Sequence, residues 1–233
     1  MKIFGVGTDT KTVKGQKVGV LTAICYLAPS DESEVINTCP NASPGCREAC
    51  LFTAGRGRFD NVKTARINKT LAFVNDRESW LTQAKSEVVS LVRKAGKQNM
   101  VPAVRLNGTS DVAWESVRLD GKSLMEHFPS VQFYDYTKAP ARMKRYLAGQ
   151  FPANYHLTFS RSEENQEDVE EISRLGGNVA VVFNGELPET YLGQPVINGD
   201  LSDVRFNDPK GCIVGLSGKG KGKKDLTGFV VMV

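Results

Sequence analysis

The sequence predicts a mostly parallel α/β fold, a partial (β/α) barrel that ends in a C-terminal β-hairpin. Three observations carry this prediction. Apolar runs of strand length alternate with segments whose apolar residues recur at helical spacing, the pattern of βα units around a parallel sheet. Nearly every strand-like run is followed by Asn, Gly, Asp, Ser or Thr at its carboxyl end, where parallel α/β folds bind ligands. The last two runs, 213–216 and 229–233, are joined by a Gly/Lys stretch without helical pattern, which gives the hairpin.

The elements follow in chain order. Residues 18–27 are apolar and partly β-branched, and Ala28-Pro29-Ser30 ends that strand. After a cysteine-rich loop, 62–74 has a helical pattern with Asp60 or Asn61 as N-cap. A second helix over 77–94 places Trp80, Ala84, Val88, Leu91 and Val92 on one face, with Gly96 as its stop. Strands at 101–106 and 131–136, a helix at 139–147 and a strand at 155–160 come next. A helix at 164–175 closes on Gly176-Gly177, and strands at 178–183 and 195–197 precede the final pair. Right-handed crossovers curl five or six such units into an open or partial barrel. No repeat, linker or composition shift divides the chain, so residues 1–233 read as one domain, long enough to bury a core without staples.

Hydrophobic content of 40% and charged content of 24% exclude a disordered or membrane-spanning class and fit a soluble globular chain. The N-terminus has no signal-peptide core, which places the thiols in a reducing cytoplasm. The net charge of +4 is unevenly spread. Arg47, Arg56, Arg58, Lys63, Arg66 and Lys69 follow the cysteines, and Lys219, Lys221, Lys223 and Lys224 crowd the C-terminal part. An acidic run covers 163–171. The basic stretches suit phosphate or nucleic acid, while their lack of interleaved aromatics favours plain solvated surface.

Cys39, Cys46 and Cys50 form a C-x6-C-x3-C run around Pro40 and Pro44-Gly45. Three thiols on one short intracellular loop are soft-metal chemistry rather than a disulfide framework. Structural zinc sites favour paired C-x2-C knuckles, which are missing, so a 4Fe-4S cluster held by three thiolates with one open iron is the expected occupant. Zinc with Cys25 or His156 as a fourth ligand is the competitor, and three incidental buried thiols is the bland alternative. Cys25 ends the first strand and Cys212 begins a late one, positions more often filled by packing residues.

The strand ends describe a polar bowl beside that loop. Asn107, Thr109 and Asp111 follow 101–106, Tyr136 and Lys138 end 131–136, and Ser160 ends 155–160. Arg105 lies within a strand and needs a partner, either Asp111 or Asp135 or a bound anion. These seven, Arg105, Asn107, Thr109, Asp111, Tyr136, Lys138 and Ser160, are the candidate cofactor-binding residues. His156 shares a strand face with Thr158 and Ser160, whereas His127 suits a helix C-terminus. Residues 215–221 match G-x4-G-K, but Gly222 stands where a phosphate loop needs Ser or Thr, so no such loop is expected.

Thr38-Cys39-Pro40-Asn41 with Cys46 and Cys50, then Arg105-Leu106-Asn107-Gly108-Thr109-Ser110-Asp111, then Phe133-Tyr134-Asp135-Tyr136-Thr137-Lys138, resemble the phage-encoded gene product eighty-eight family over most of the chain. The resemblance implies a bacteriophage origin and the host cytoplasm, and brings no settled activity. More distantly, the arrangement resembles the radical S-adenosylmethionine (SAM) partial barrels, whose three-cysteine loop follows the first strand. That likeness implies Cys39, Cys46 and Cys50 as cluster ligands and SAM near Asn107 to Asp111, although the spacing departs from the usual C-x3-C-x2-C. The expected function is a phage 4Fe-4S protein with an unknown small-molecule reaction. The alternative is a non-enzymatic zinc- or cluster-stapled protein that binds a host protein or nucleic acid, away from any membrane.

Overall fold

The computed structural model describes residues 1–7 and 10–233. Its strands are β1 (Phe4–Val6), β2 (Val20–Cys25), β3 (Val101–Arg105), β4 (Gln132–Thr137), β5 (Tyr155–Ser160), β6 (Val179–Asn184), β7 (Thr190–Tyr191), β8 (Gln194–Asn198), β9 (Ile213–Ser217) and β10 (Val230–Met232). Its helices are α1 (Thr10–Gln16), α2 (Pro44–Glu48), α3 (Asp60–Asn75), α4 (Arg77–Lys97), α5 (Leu124–His127), α6 (Pro140–Leu147) and α7 (Gln166–Arg174). The strands form one mixed sheet in the order β1-β2-β3-β4-β5-β6-β9-β8-β7. Strands β2 to β6, β9 and β8 run parallel, while β1 and β7 pair antiparallel at the two edges. No pairing among the described residues joins the edges, so this α/β sheet is not a closed barrel. No helix among them is long and apolar enough to cross a membrane.

The predicted hairpin is not formed. β9 occupies one side of β6, from Val179↔Ile213 to Phe183↔Ser217. On the other side β5 pairs only with the start of β6, at Phe159↔Val179 and Ser160↔Ala180, and then diverges. The open half of that edge would leave backbone groups unpaired. β10 fills it in parallel, at Val230↔Val182, Val231↔Phe183 and Met232↔Asn184.

Helices α3 to α7 cover one face. Leu21, Ala23, Val104, Phe133, Leu157, Phe159 and Val181 alternate onto that side and pack in the main core with Trp80, Ala84, Val88 and Leu91 of α4. α4 is capped by Asp76, whose carboxylate accepts the Ser79 N–H at 3.1 Å. It passes through Gly96 rather than stopping there, and the chain turns at Asn99 with φ of 53°.

The opposite face carries Arg105, Tyr134, Tyr136, His156 and Thr158, and it is not an open bowl. Residues 199–208, between β8 and β9, lie across it. Val204 packs with Val20, Ala103 and Tyr134, and Phe206 meets the Tyr134 ring edge-on at 5.5 Å. α1 is tied to this segment by the Lys14 ammonium, which donates to the Asp200 carbonyl.

Candidate functional site: a laced cysteine loop and a basic edge

The cysteine loop bridges the carboxyl ends of β3 and β5. The Thr38 hydroxyl donates to Ala28 O at 2.6 Å and Asp111 N donates to Thr38 O at 2.8 Å. The Cys39 thiol donates to Thr109 O at 3.6 Å. At the far end the Glu163 carboxylate accepts from Ser43 Oγ at 2.8 Å and Gly45 N at 2.6 Å, securing the first turn of α2.

Cys39, Cys46 and Cys50 line one cleft of about 380 Å³ with Pro29, Arg47 and Phe52. Sharing a cleft does not make them a metal centre. Among the described residues no group of three or more His, Cys, Asp or Glu is placed to hold a metal ion. This overturns the expected 4Fe-4S cluster, the zinc alternative and, with the cluster's open iron, the SAM site. Two of the thiols are engaged locally: Cys39 donates to Thr109 O, and Cys50 Sγ accepts from Phe52 N at 3.5 Å. Burial pushes the Cys39 thiol up and that of Cys50 to about 11. The proposed fourth ligands lie elsewhere. Cys25 is fully buried on the helix side, its thiol pushed up to about 12, and Cys212 is buried before β9. The His156 ring accepts or donates at Nδ1 with Tyr146 Oη at 3.2 Å, on the opposite face.

The seven candidate cofactor-binding residues fall into three places. Asn107, Thr109 and Asp111 lace loops together. Asn107 Oδ1 accepts from Ser110, Val112 N and Trp114 Nε1, and Thr109 Oγ1 donates to Leu27 O at 2.6 Å. Asp111 accepts from Thr137 Oγ1, Lys138 N and Arg142 Nη1. Arg142 continues the network to Glu115 and Tyr155, and the Tyr155 hydroxyl donates to Asp135 at 2.8 Å. Arg105 and Tyr136 stack at 4.7 Å on the opposite face. The partner of Arg105 is Asp203, at 2.8 Å, rather than Asp111 or Asp135. Asp203 sits in the crossing segment, which sequence alone gave no reason to bring there. Lys138 and Ser160 meet at 2.7 Å beneath Phe229, whose ring lies 5.4 Å from the ammonium.

The structure also joins two basic segments that are far apart in sequence. A 3-10 turn at Gly220–Lys224 packs on the chain at 49–54, with Gly220 over Ala54 and Gly222 over Ala49. Gly220 has φ of 57°, and a Cβ there would stand 2.9 Å from Ala54 Cβ, so both its conformation and the close approach require glycine. A second 3-10 turn, Gly55–Arg58, follows directly and carries Arg56 and Arg58. Arg56, Arg58, Lys221, Lys223 and Lys224 are exposed and form no ion pair among the described residues. Lys219 pairs with Asp200 at 2.5 Å and Lys63 approaches Asp60 at 3.9 Å. The Arg58 guanidinium lies 5.5 Å over the ring of Phe59, which is 49% exposed. Behind them Arg66 is buried between the Tyr26 and Phe52 rings, at 4.8 and 5.5 Å. The signal missed in the sequence was the alternation of glycine with lysine at 218–222, which marks a close backbone approach.

No curated protein and no solved structure matches this chain, and the comparisons add no support to a radical SAM likeness. A family model, Gene product 88, matches residues 3–232. With a match from end to end and the three motif-bearing strand ends in place, the chain belongs to the gene product 88 family.

Proposed function

We propose that this protein, acting as a single domain, is a nucleic-acid-binding protein whose interface is the basic edge built from residues 55–63 and 219–224. One observation carries the reading: five exposed cations from two remote segments, unpaired with carboxylates, lie on adjoining turns beside an exposed aromatic ring. Either segment alone reads as solvated surface. Together they supply the clustered positive potential that neutralises phosphates and releases their counterions. In this reading Asn107, Thr109 and Asp111 hold the cysteine loop that supports the edge, and Arg105 and Tyr136 anchor the crossing segment. Lys138 and Ser160 steady β10 behind it.

The test is fluorescence anisotropy of a labelled oligonucleotide titrated with protein at several salt concentrations. Binding is expected to weaken with salt, with a log–log slope of about −2 to −4 for contacts by a handful of cations. Absence of binding at low salt contradicts the proposal.

A further inference from the structure

The identity of the nucleic acid rests on the basic-edge reading and takes it one step further. We infer that the edge binds single strands, with Phe59 as a platform on which a base stacks. Phe59 is the N-cap residue of α3 and belongs to none of the hydrophobic clusters of the fold. Its ring is half exposed and has the Arg58 guanidinium over it at 5.5 Å. An exposed aromatic next to free cations is the pairing that single-strand binders use: cations follow the backbone while rings accept bases of any sequence.

The geometry disfavours a duplex. The free cations sit on 3-10 turns of four and five residues, and no helix or two-stranded ribbon presents them at the length that enters a major groove. The one helix that starts at this edge, α3, opens on Asp60, whose side chain is 99% exposed. A carboxylate there cancels the positive helix end that would otherwise meet a phosphate. On the lysine side the turn leads to Leu226, 98% exposed, a second apolar contact within the same segment.

The experiment compares labelled oligothymidylate with a duplex of equal length, using wild type, Phe59→Ala and Phe59→Trp. Wild type is expected to prefer the single strand. Phe59→Ala is expected to lower single-strand affinity about tenfold, with little change in the salt slope or in duplex binding. Phe59→Trp is expected to retain affinity and to lose indole fluorescence on binding, against the constant background of buried Trp80 and Trp114. That quenching arm does not depend on the alanine variant folding. Equal binding of both nucleic acids, unaffected by either substitution, overturns the single-strand inference and leaves the basic edge standing. Failure to bind either nucleic acid overturns both.

Discussion

Asp135 and His156 lie on opposite faces of adjacent strands and answer to pH with opposite signs. His156 is half-buried near Arg205, and desolvation lowers its pKa from 6.5 to about 4. Its ring therefore folds neutral. The stability this provides is complete above pH 6.5 and is lost as pH falls toward 4. Asp135 is fully buried and is raised from 3.8 to about 7, although Asn107 N and the Tyr155 hydroxyl donate to it. Its contribution is complete below pH 3.8 and declines as pH rises through 7. The two opposite slopes overlap between pH 4 and 6.5, so urea unfolding of the wild type is expected to change little across this range. His156→Gln should unmask the decline with rising pH due to Asp135, and Asp135→Asn should unmask the acid limb due to His156, on the order of 3 kcal/mol. A pH profile unchanged in His156→Gln would show that the ring is not held neutral by burial.

At the scale of elements, the divergence of β5 from β6 organises the carboxyl edge. β10 fills the gap, and the chain leading into it meets the cysteine loop. Gly45 faces Thr227, Glu163 and Phe229 so closely that a Cβ would lie 2.8 Å from Phe229 Cβ and 2.7 Å from the Glu163 carboxylate. Gly45→Ala is therefore expected to loosen α2 and to speed the reaction of the loop thiols with a disulfide reagent. Cys25 and Cys212 should remain slow, because they are buried at 0% and 1% exposure. Unchanged rates would mean that the loop is not held by this contact. Much of this level was legible in sequence. Strand β5 matches the predicted 155–160 because its apolar residues alternate cleanly, and α4 was predicted from the spacing of Trp80 to Leu91. The hairpin failed because adjacency in sequence says nothing about an open edge on the far side of β6. β1 and α1 are too short to show a period.

At the scale of the whole molecule, what the sequence could not show was which residues meet. The three cysteines share one loop and line one cleft, yet spacing does not fix where each sulfur points. Cys39 turns to Thr109 and Cys50 to Phe52, and no metal-holding group results. The polar strand ends were visible too, but not the Asp203 that crosses the sheet to occupy Arg105. Both basic segments were visible separately. Only the packing of Gly220 and Gly222 on Ala54 and Ala49 makes them one surface. The net charge of +4 understates that surface, because acidic residues gathered at 163–171 offset it in the sum.

The central claim, that two remote segments act as one interface, is tested most directly by reversing each separately. Arg56→Glu with Arg58→Glu, and Lys221→Glu with Lys223→Glu and Lys224→Glu, would be compared with wild type by anisotropy on labelled oligothymidylate over a salt series. Each set alone is predicted to weaken binding by at least about tenfold and to reduce the salt slope, since each removes phosphate contacts from a shared surface. Binding that survives both reversals with its salt slope intact would contradict the account.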